Sequence, residues 1–127
     1  MDNLVLPKGD TGRISRANMP QIDDADIPTL IVYLANLGVS VSAGMIDPNK
    51  VSAAQGINPT RAAQMPVKWL KTPSLISREP MVIDGNHRWY RHLVDKTMMP
   101  FIQFNEDFDT VLKHIFSFPQ TYEDKAA

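Results

Sequence analysis

The residue types most able to do chemistry in this chain fall together in Asp84-Gly85-Asn86-His87-Arg88. They follow a short apolar run, Met81-Val82-Ile83, and precede a segment that reads as a helix to about Asp95. A strand that passes through a glycine turn onto a helix start aims unpaired backbone N–H groups at one point, where an anion binds well. His87 and Arg88 stand where a phosphate would be clamped, and Asp84 stands where a base or a metal contact would be. The same five residues also suit a plain tight turn with a solvated arginine, because short motifs match by chance.

Other chemistries have weaker support. His87 and His92 are five apart, whereas a helical zinc pair uses i and i+4. Asp84 and His87 could share a metal only with ligands from elsewhere, so no metal site is assigned. No Gly-x-Ser-x-Gly elbow is present, and no Gly-Lys-Ser/Thr follows a glycine, so neither a serine-hydrolase elbow nor a Walker phosphate loop is expected. Trp89, Tyr90 and Trp69 could stack on a base. At helical spacing, however, Trp89 with Leu93 and Tyr90 with Val94 form i, i+4 pairs, which favours core packing for at least one of them.

Composition sets the frame. The 127 residues are 43% hydrophobic and 21% charged, an ordinary globular balance that suits one domain with a modest core. We expect that domain to span residues 1–120, with 121–127 as a frayed tail. A net charge of -1 argues against duplex binding driven by bulk charge. Basic residues nevertheless gather between Arg61 and Lys96, including Lys68, Lys71, Arg78, Arg88 and Arg91, which makes the middle of the chain a plausible anion-facing region. The chain has no cysteine, which excludes disulfides and thiolate metal sites. No signal peptide or membrane span is visible, so a cytoplasmic location without a membrane partner is the expectation.

The elements that must position the turn can be read in order. Leu4 to Leu6 suit a short strand, and Arg13 to Ile22 reads as extended because Pro20 disfavours helix before it. Ile27, Leu30, Ile31, Leu34 and Leu37 make a helical stripe, with Asp23, Asp24 and Asp26 at its start and Gly38 at its stop. Val39 to Met45 alternates as a half-buried strand would. Asp47-Pro48 starts a helix expected to end at Gly56, and Asn58-Pro59 starts another that Pro66 ends. Leu75-Ile76 and Met81 to Ile83 flank a hairpin turn. Met99-Pro100 leads into the strand Phe101 to Phe104. Asp107 or Asp109 caps a last helix carrying Phe108, Val111, Leu112 and Ile115. The fold class is α+β, with a small mixed sheet and packed helices.

This order carries a resemblance. Pro73 to Ser77, the hairpin, Val82-Ile83-Asp84-Gly85-Asn86-His87-Arg88-Trp89, a helix, and Pro100 to Phe104 resemble the core of the ParB/sulfiredoxin superfamily. Within it, the sequence looks like the small phage and plasmid proteins termed ParB-like nuclease domains. Arg16 and Pro20-Gln21 can correspond to an upstream box of that core. The resemblance implies a nucleotide-binding domain acting on phosphoryl groups by NTP hydrolysis, phosphotransfer or nuclease chemistry. It implies phosphate contacts from Gly85, Asn86, His87, Arg88, Arg16 and Gln21, and catalytic roles for Asp84, His87 and Arg88. ATP or another NTP with Mg²⁺ would be the ligand, DNA a further partner, and a bacterial cell or phage-infected host the setting. Asn86 stands where sulfiredoxins carry their catalytic cysteine, so that activity is not expected. The alternative reading is a non-enzymatic phage or plasmid module that binds DNA or a host protein.

Overall fold

The computed structural model of the chain describes Ile14 and residues 19–123. It is an α+β structure. Strand β1 (Pro20–Gln21) pairs at the end of the chain with β6 (Tyr122–Glu123). The main sheet has four strands, β2 (Val41–Ile46), β3 (Ser74–Ile76), β4 (Val82–Asp84) and β5 (Met99–Phe104), in the order β2-β5-β3-β4. β5 runs antiparallel to β2 and parallel to β3, while β3 and β4 form the expected hairpin. Four α-helices complete it: α1 (Ile27–Asn36), α2 (Pro59–Gln64), α3 (Asn86–Asp95) and α4 (Phe108–Ser117).

The central strands are covered on both faces, which explains why they are continuously apolar rather than alternating. Leu75, Ile83 and Phe104 join one core cluster with Leu30 and Leu34 of α1 and Val111 and Ile115 of α4. Their neighbours Ile76, Val82 and Met99 turn to the opposite face and join Trp89 of α3, Ala62 of α2, and Val51 and Ile57. Adjacent strand residues therefore feed separate clusters, as the period of two requires.

Local signals place most helix ends. Gly38 takes a left-handed φ of 87° just past α1, where a Cβ would be disfavoured. Asn58 accepts the Arg61 N–H at 3.2 Å to open α2, and Asp107 accepts the Thr110 N–H at 2.7 Å to open α4. Asp23, Asp24 and Asp26 stand before α1 as expected, and neither Asp23 nor Asp26 makes a side-chain capping bond. A single 3₁₀ turn, Asp24–Asp26, precedes the helix instead.

Three further expectations differ from what is found. The strand after Gly38 forms, but Ser42 to Met45 are exposed, with Met45 at 57%. As the edge of the sheet it pairs only with β5 among the described strands, and the core clusters reach it at its ends, Val41 and Ile46. The helix expected from Asp47 to Gly56 stops after one 3₁₀ turn, Pro48–Lys50. The Pro48 and Val51 carbonyls accept the indole N–H of Trp89, and Ser52 is drawn into a bridge with Met81. Finally, Tyr122 and Glu123, expected in a frayed tail, pair with Gln21 and Pro20, and the Tyr122 hydroxyl donates to Asp23. The strand expected at Leu4 to Leu6 lies outside the described residues. Among the described residues no helix is long and apolar enough to cross a membrane.

Candidate functional site

β4 delivers the chain into Gly85, whose φ of 101° is left-handed, and α3 begins at the next residue. Gly85 occupies the N-cap position and has no side chain with which to cap. A helix start leaves its first-turn N–H groups without intrahelical acceptors and carries partial positive charge. The first helical bond here is Trp89 N–H to the Gly85 carbonyl at 2.9 Å.

Arg88 folds back over this opening. Its Nη2 donates weakly to the Pro73 carbonyl at 3.4 Å. A Cβ added to Gly85 would stand 2.8 Å from that Nη2 and 2.6 Å from Ser74 Oγ. The guanidinium thus rests against bare backbone, and its Nε is buried with no hydrogen-bond partner among the described residues. A buried N–H of a cation left unpaired is costly, and the arrangement suits an anion that supplies the missing acceptor.

Asn86 and His87 point to the protein itself. Asn86 is 3% exposed, and its Oδ1 accepts the Ala54 N–H at 3.0 Å. His87 is 5% exposed, and its Nε2 accepts the Asn58 N–H at 3.1 Å. An accepting Nε2 places the ring proton on Nδ1. Both side chains clamp the loop 54–58 onto the start of α3. Asp84 ends β4 opposite Leu75, and both it and His87 have further interactions of their own. Gln21 sits on β1, which lies beside β4, and its amide donates to the Met19 carbonyl at 3.4 Å. Arg16 lies outside the described residues.

The same clamping continues down α3. Trp89 is fully buried and holds Pro48 and Val51, as above. Arg91 was expected in the anion-facing group, but its Nη1 donates to the carbonyls of Ala62, Ala63 and Met65, closing the end of α2, while its Nε pairs with Asp95 at 3.0 Å. His92 lies between the Leu70 carbonyl at 3.1 Å and the Thr97 hydroxyl at 2.8 Å. The whole connection from β2 to β3 is therefore wrapped around one helix by that helix's own side chains. Of the stacking candidates, Trp89 is core, Tyr90 is half-buried and Trp69 is 51% exposed.

No family model, curated protein or solved structure matches the chain. The assignment of the site therefore rests on its own geometry. A concavity elsewhere competes for it: a cleft of about 620 Å³ opens at the far end of α3, with Asp47, Pro48, Trp89, Leu93, Lys96 and Met98 among its lining. Its volume falls in the small-ligand range. It faces the helix C-terminus, however, where the dipole opposes an anion, and among the described residues Lys96 is the one cation lining it. Of the two places, the helix start at Gly85 and Arg88 has the charge that suits an anion. Among the described residues no group of three or more His, Asp and Glu could hold a metal ion. Gln55 and Ser74 are neighbours of the site that sequence reasoning passed over. Pro73-Ser74 was visible only as the start of a strand, and nothing local marks Gln55.

His92 makes a pH test of the clamp. Burial lowers its pKa from the ordinary 6.5, outweighing the raising effects of its bond to Leu70 and of nearby Asp95. In the unfolded chain the ring protonates near pH 6.5, while in the folded chain it stays neutral to lower pH. The unfolded state then binds the extra proton, so stability is present above about pH 6.5 and is lost as pH falls from there toward the folded pKa. Urea midpoints of the parent and of His92→Gln between pH 8 and pH 5 check this. The parent should lose more stability than the variant over that fall, and parallel curves would refute the assignment.

Proposed function

We propose that this chain is a nucleotide-binding domain of ParB/sulfiredoxin-like fold, with the phosphates of an NTP held at Gly85 and Arg88 and Mg²⁺ carried in with the nucleotide. The observation that carries the reading is the Arg88 guanidinium laid over a bare glycine at an uncapped helix start, with its Nε buried and unpaired among the described residues. Backbone amides and a cation converging on one point stabilise charge on phosphoryl oxygens, both in the ground state and as charge shifts during transfer. Within this reading the anion is met by Gly85, Arg88 and first-turn amides, while Asn86 and His87 shape the site by holding the loop 54–58 against it. Asp84, at the strand end, is the candidate to orient a metal-bound or attacking group.

The test is thermal stabilisation by ATP, ADP, CTP and GTP with Mg²⁺. A ligand present at one hundred times its Kd stabilises by about 2.7 kcal/mol. Arg88→Ala should weaken the responding nucleotide about tenfold to a hundredfold, the scale of a charge-assisted hydrogen bond. An Arg88→Ala protein that is stabilised as strongly as its parent would sink the site.

One observation favours a second reading, a binding module without turnover that recognises DNA or a host protein. The Nε2 lone pair of His87 is committed to Asn58, so this nitrogen is not available as a general base. A plasmid-nicking assay and a phosphate-release assay, each with and without EDTA, separate the readings. Turnover that disappears in EDTA and in Asp84→Asn supports phosphoryl chemistry. Nucleotide binding without turnover supports the module.

A further inference from the structure

Gln55 lies in the middle of the loop that α3 holds. Ala54 on one side of it is bonded to Asn86, and Asn58 on the other to His87, the first two residues of the helix. Gln55 is only 2% exposed, yet its Oε1 is buried with no hydrogen-bond partner among the described residues. A buried amide oxygen without a donor is a rare and costly feature, and in native proteins it calls for a specific reason. Ala54 and Ile57, on either side, are fully buried apolar residues, and an apolar side chain of the same length would carry no such penalty.

The two buried side-chain atoms without a hydrogen-bond partner among the described residues are complementary in kind. Arg88 Nε is a donor on a cation and wants an anionic acceptor, whereas Gln55 Oε1 is an acceptor and wants a donor. Ionised phosphate oxygens offer only acceptors, so a bare polyphosphate could meet the first and not the second. A ligand that meets both carries, next to its phosphates, a hydroxyl or amino group. Nucleotides have such groups in the ribose and in most bases.

We infer that Gln55 is a specificity residue of the Gly85–Arg88 site, its amide oxygen accepting a hydrogen bond from the nucleoside part of the ligand. The inference rests on the phosphate reading above and adds to it the residue that separates a nucleotide from a simple phosphate. Sites built to hydrogen-bond a substrate group reject analogues that lack it far more strongly than apolar pockets discriminate by size.

The experiment compares Kd values, by calorimetry with Mg²⁺, for inorganic tripolyphosphate and for the nucleoside triphosphate that stabilises the parent most. The parent and Gln55→Met are measured side by side. Methionine keeps length and removes the polar atoms. The parent should prefer the nucleotide, and Gln55→Met should lose about tenfold or more of that preference while binding tripolyphosphate as the parent does. The ligand-free variant should unfold at a urea concentration no lower than the parent's, because a penalty has been removed. A preference that survives in Gln55→Met overturns the inference and leaves the phosphate reading standing, as does a parent that binds both ligands equally. A parent that binds neither ligand removes both. A variant that loses stability without ligand and keeps its preference would show Gln55 to be a structural residue satisfied by internal water.

Discussion

Gly85→Ala is expected to destabilise the protein by about 1–3 kcal/mol and to abolish nucleotide stabilisation together. Two separate penalties act at this position. The φ of 101° lies in the region that L residues avoid, and the new methyl would meet Ser74 Oγ at 2.6 Å and Arg88 Nη2 at 2.8 Å. Arginine is flexible enough to swing away, but in doing so it leaves the point at which an anion would be held. Gly38→Ala is the matched control. Gly38 has a comparable φ of 87°, and nothing stands within 4 Å of its added Cβ. It follows α1, away from the β4–α3 turn. Alanine at Gly38 should therefore show the backbone penalty alone, with ligand response intact. Urea denaturation of both variants, with and without nucleotide, checks the contrast. Equal losses of stability and equal ligand response in the two would mean that the packing of Arg88 on Gly85 has no consequence.

How far the sequence discloses this arrangement depends on the range of the interaction. The stripe on α1, the stop at Gly38, the Asn58 and Asp107 caps and the Gly85 turn are settled within a few residues, and each was legible. Mixed α+β character followed from the same local signals. The parallel pairing of β3 with β5 was not legible, since two short apolar runs fit either direction. Nor was the wrapping of the β2–β3 connection around α3. Its bonds join residues far apart in the chain, such as Trp89 to Pro48 and His92 to Leu70, and a side chain meeting a distant carbonyl leaves no period behind it. The expected helix after Asp47 failed for that reason: its start signal was sound, but the Ser52 N–H that would continue it bonds the distant Pro80 carbonyl, and the Trp89 indole bonds Pro48. At the site itself, the glycine and arginine were marked by their place after a strand. Asn86 and His87 were read as phosphate contacts because a polar residue at a helix start looks the same whether it serves a ligand or a loop.

Trp89→Ala carries the largest expected stability loss, about 3–5 kcal/mol, a major part of the roughly 5–15 kcal/mol that holds a domain together. Trp89 is fully buried, belongs to the cluster with Ile76, Val82 and Met99, and donates one indole N–H to two carbonyls, Pro48 at 2.9 Å and Val51 at 3.1 Å. Trp89→Phe divides the two contributions. It keeps most of the buried ring and removes the donor, leaving the Pro48 carbonyl with only the Val51 N–H and the Val51 carbonyl without its indole partner, so a loss of about 1–2 kcal/mol is expected. If the phenylalanine variant were as unstable as the alanine one, the hydrogen bonds and not the ring volume would hold this face. The consequence for the site follows from chain order. Pro48 to Val51 leads directly into the loop 54–58, and that loop is the one Asn86 and His87 clamp from the same end of the same helix. Loosening the Trp89 anchor should therefore weaken nucleotide response in the phenylalanine variant even where the protein stays folded, while Arg88 and Gly85 are untouched. A folded Trp89→Phe protein with the parent's ligand affinity would show that the loop is positioned by Asn86 and His87 alone.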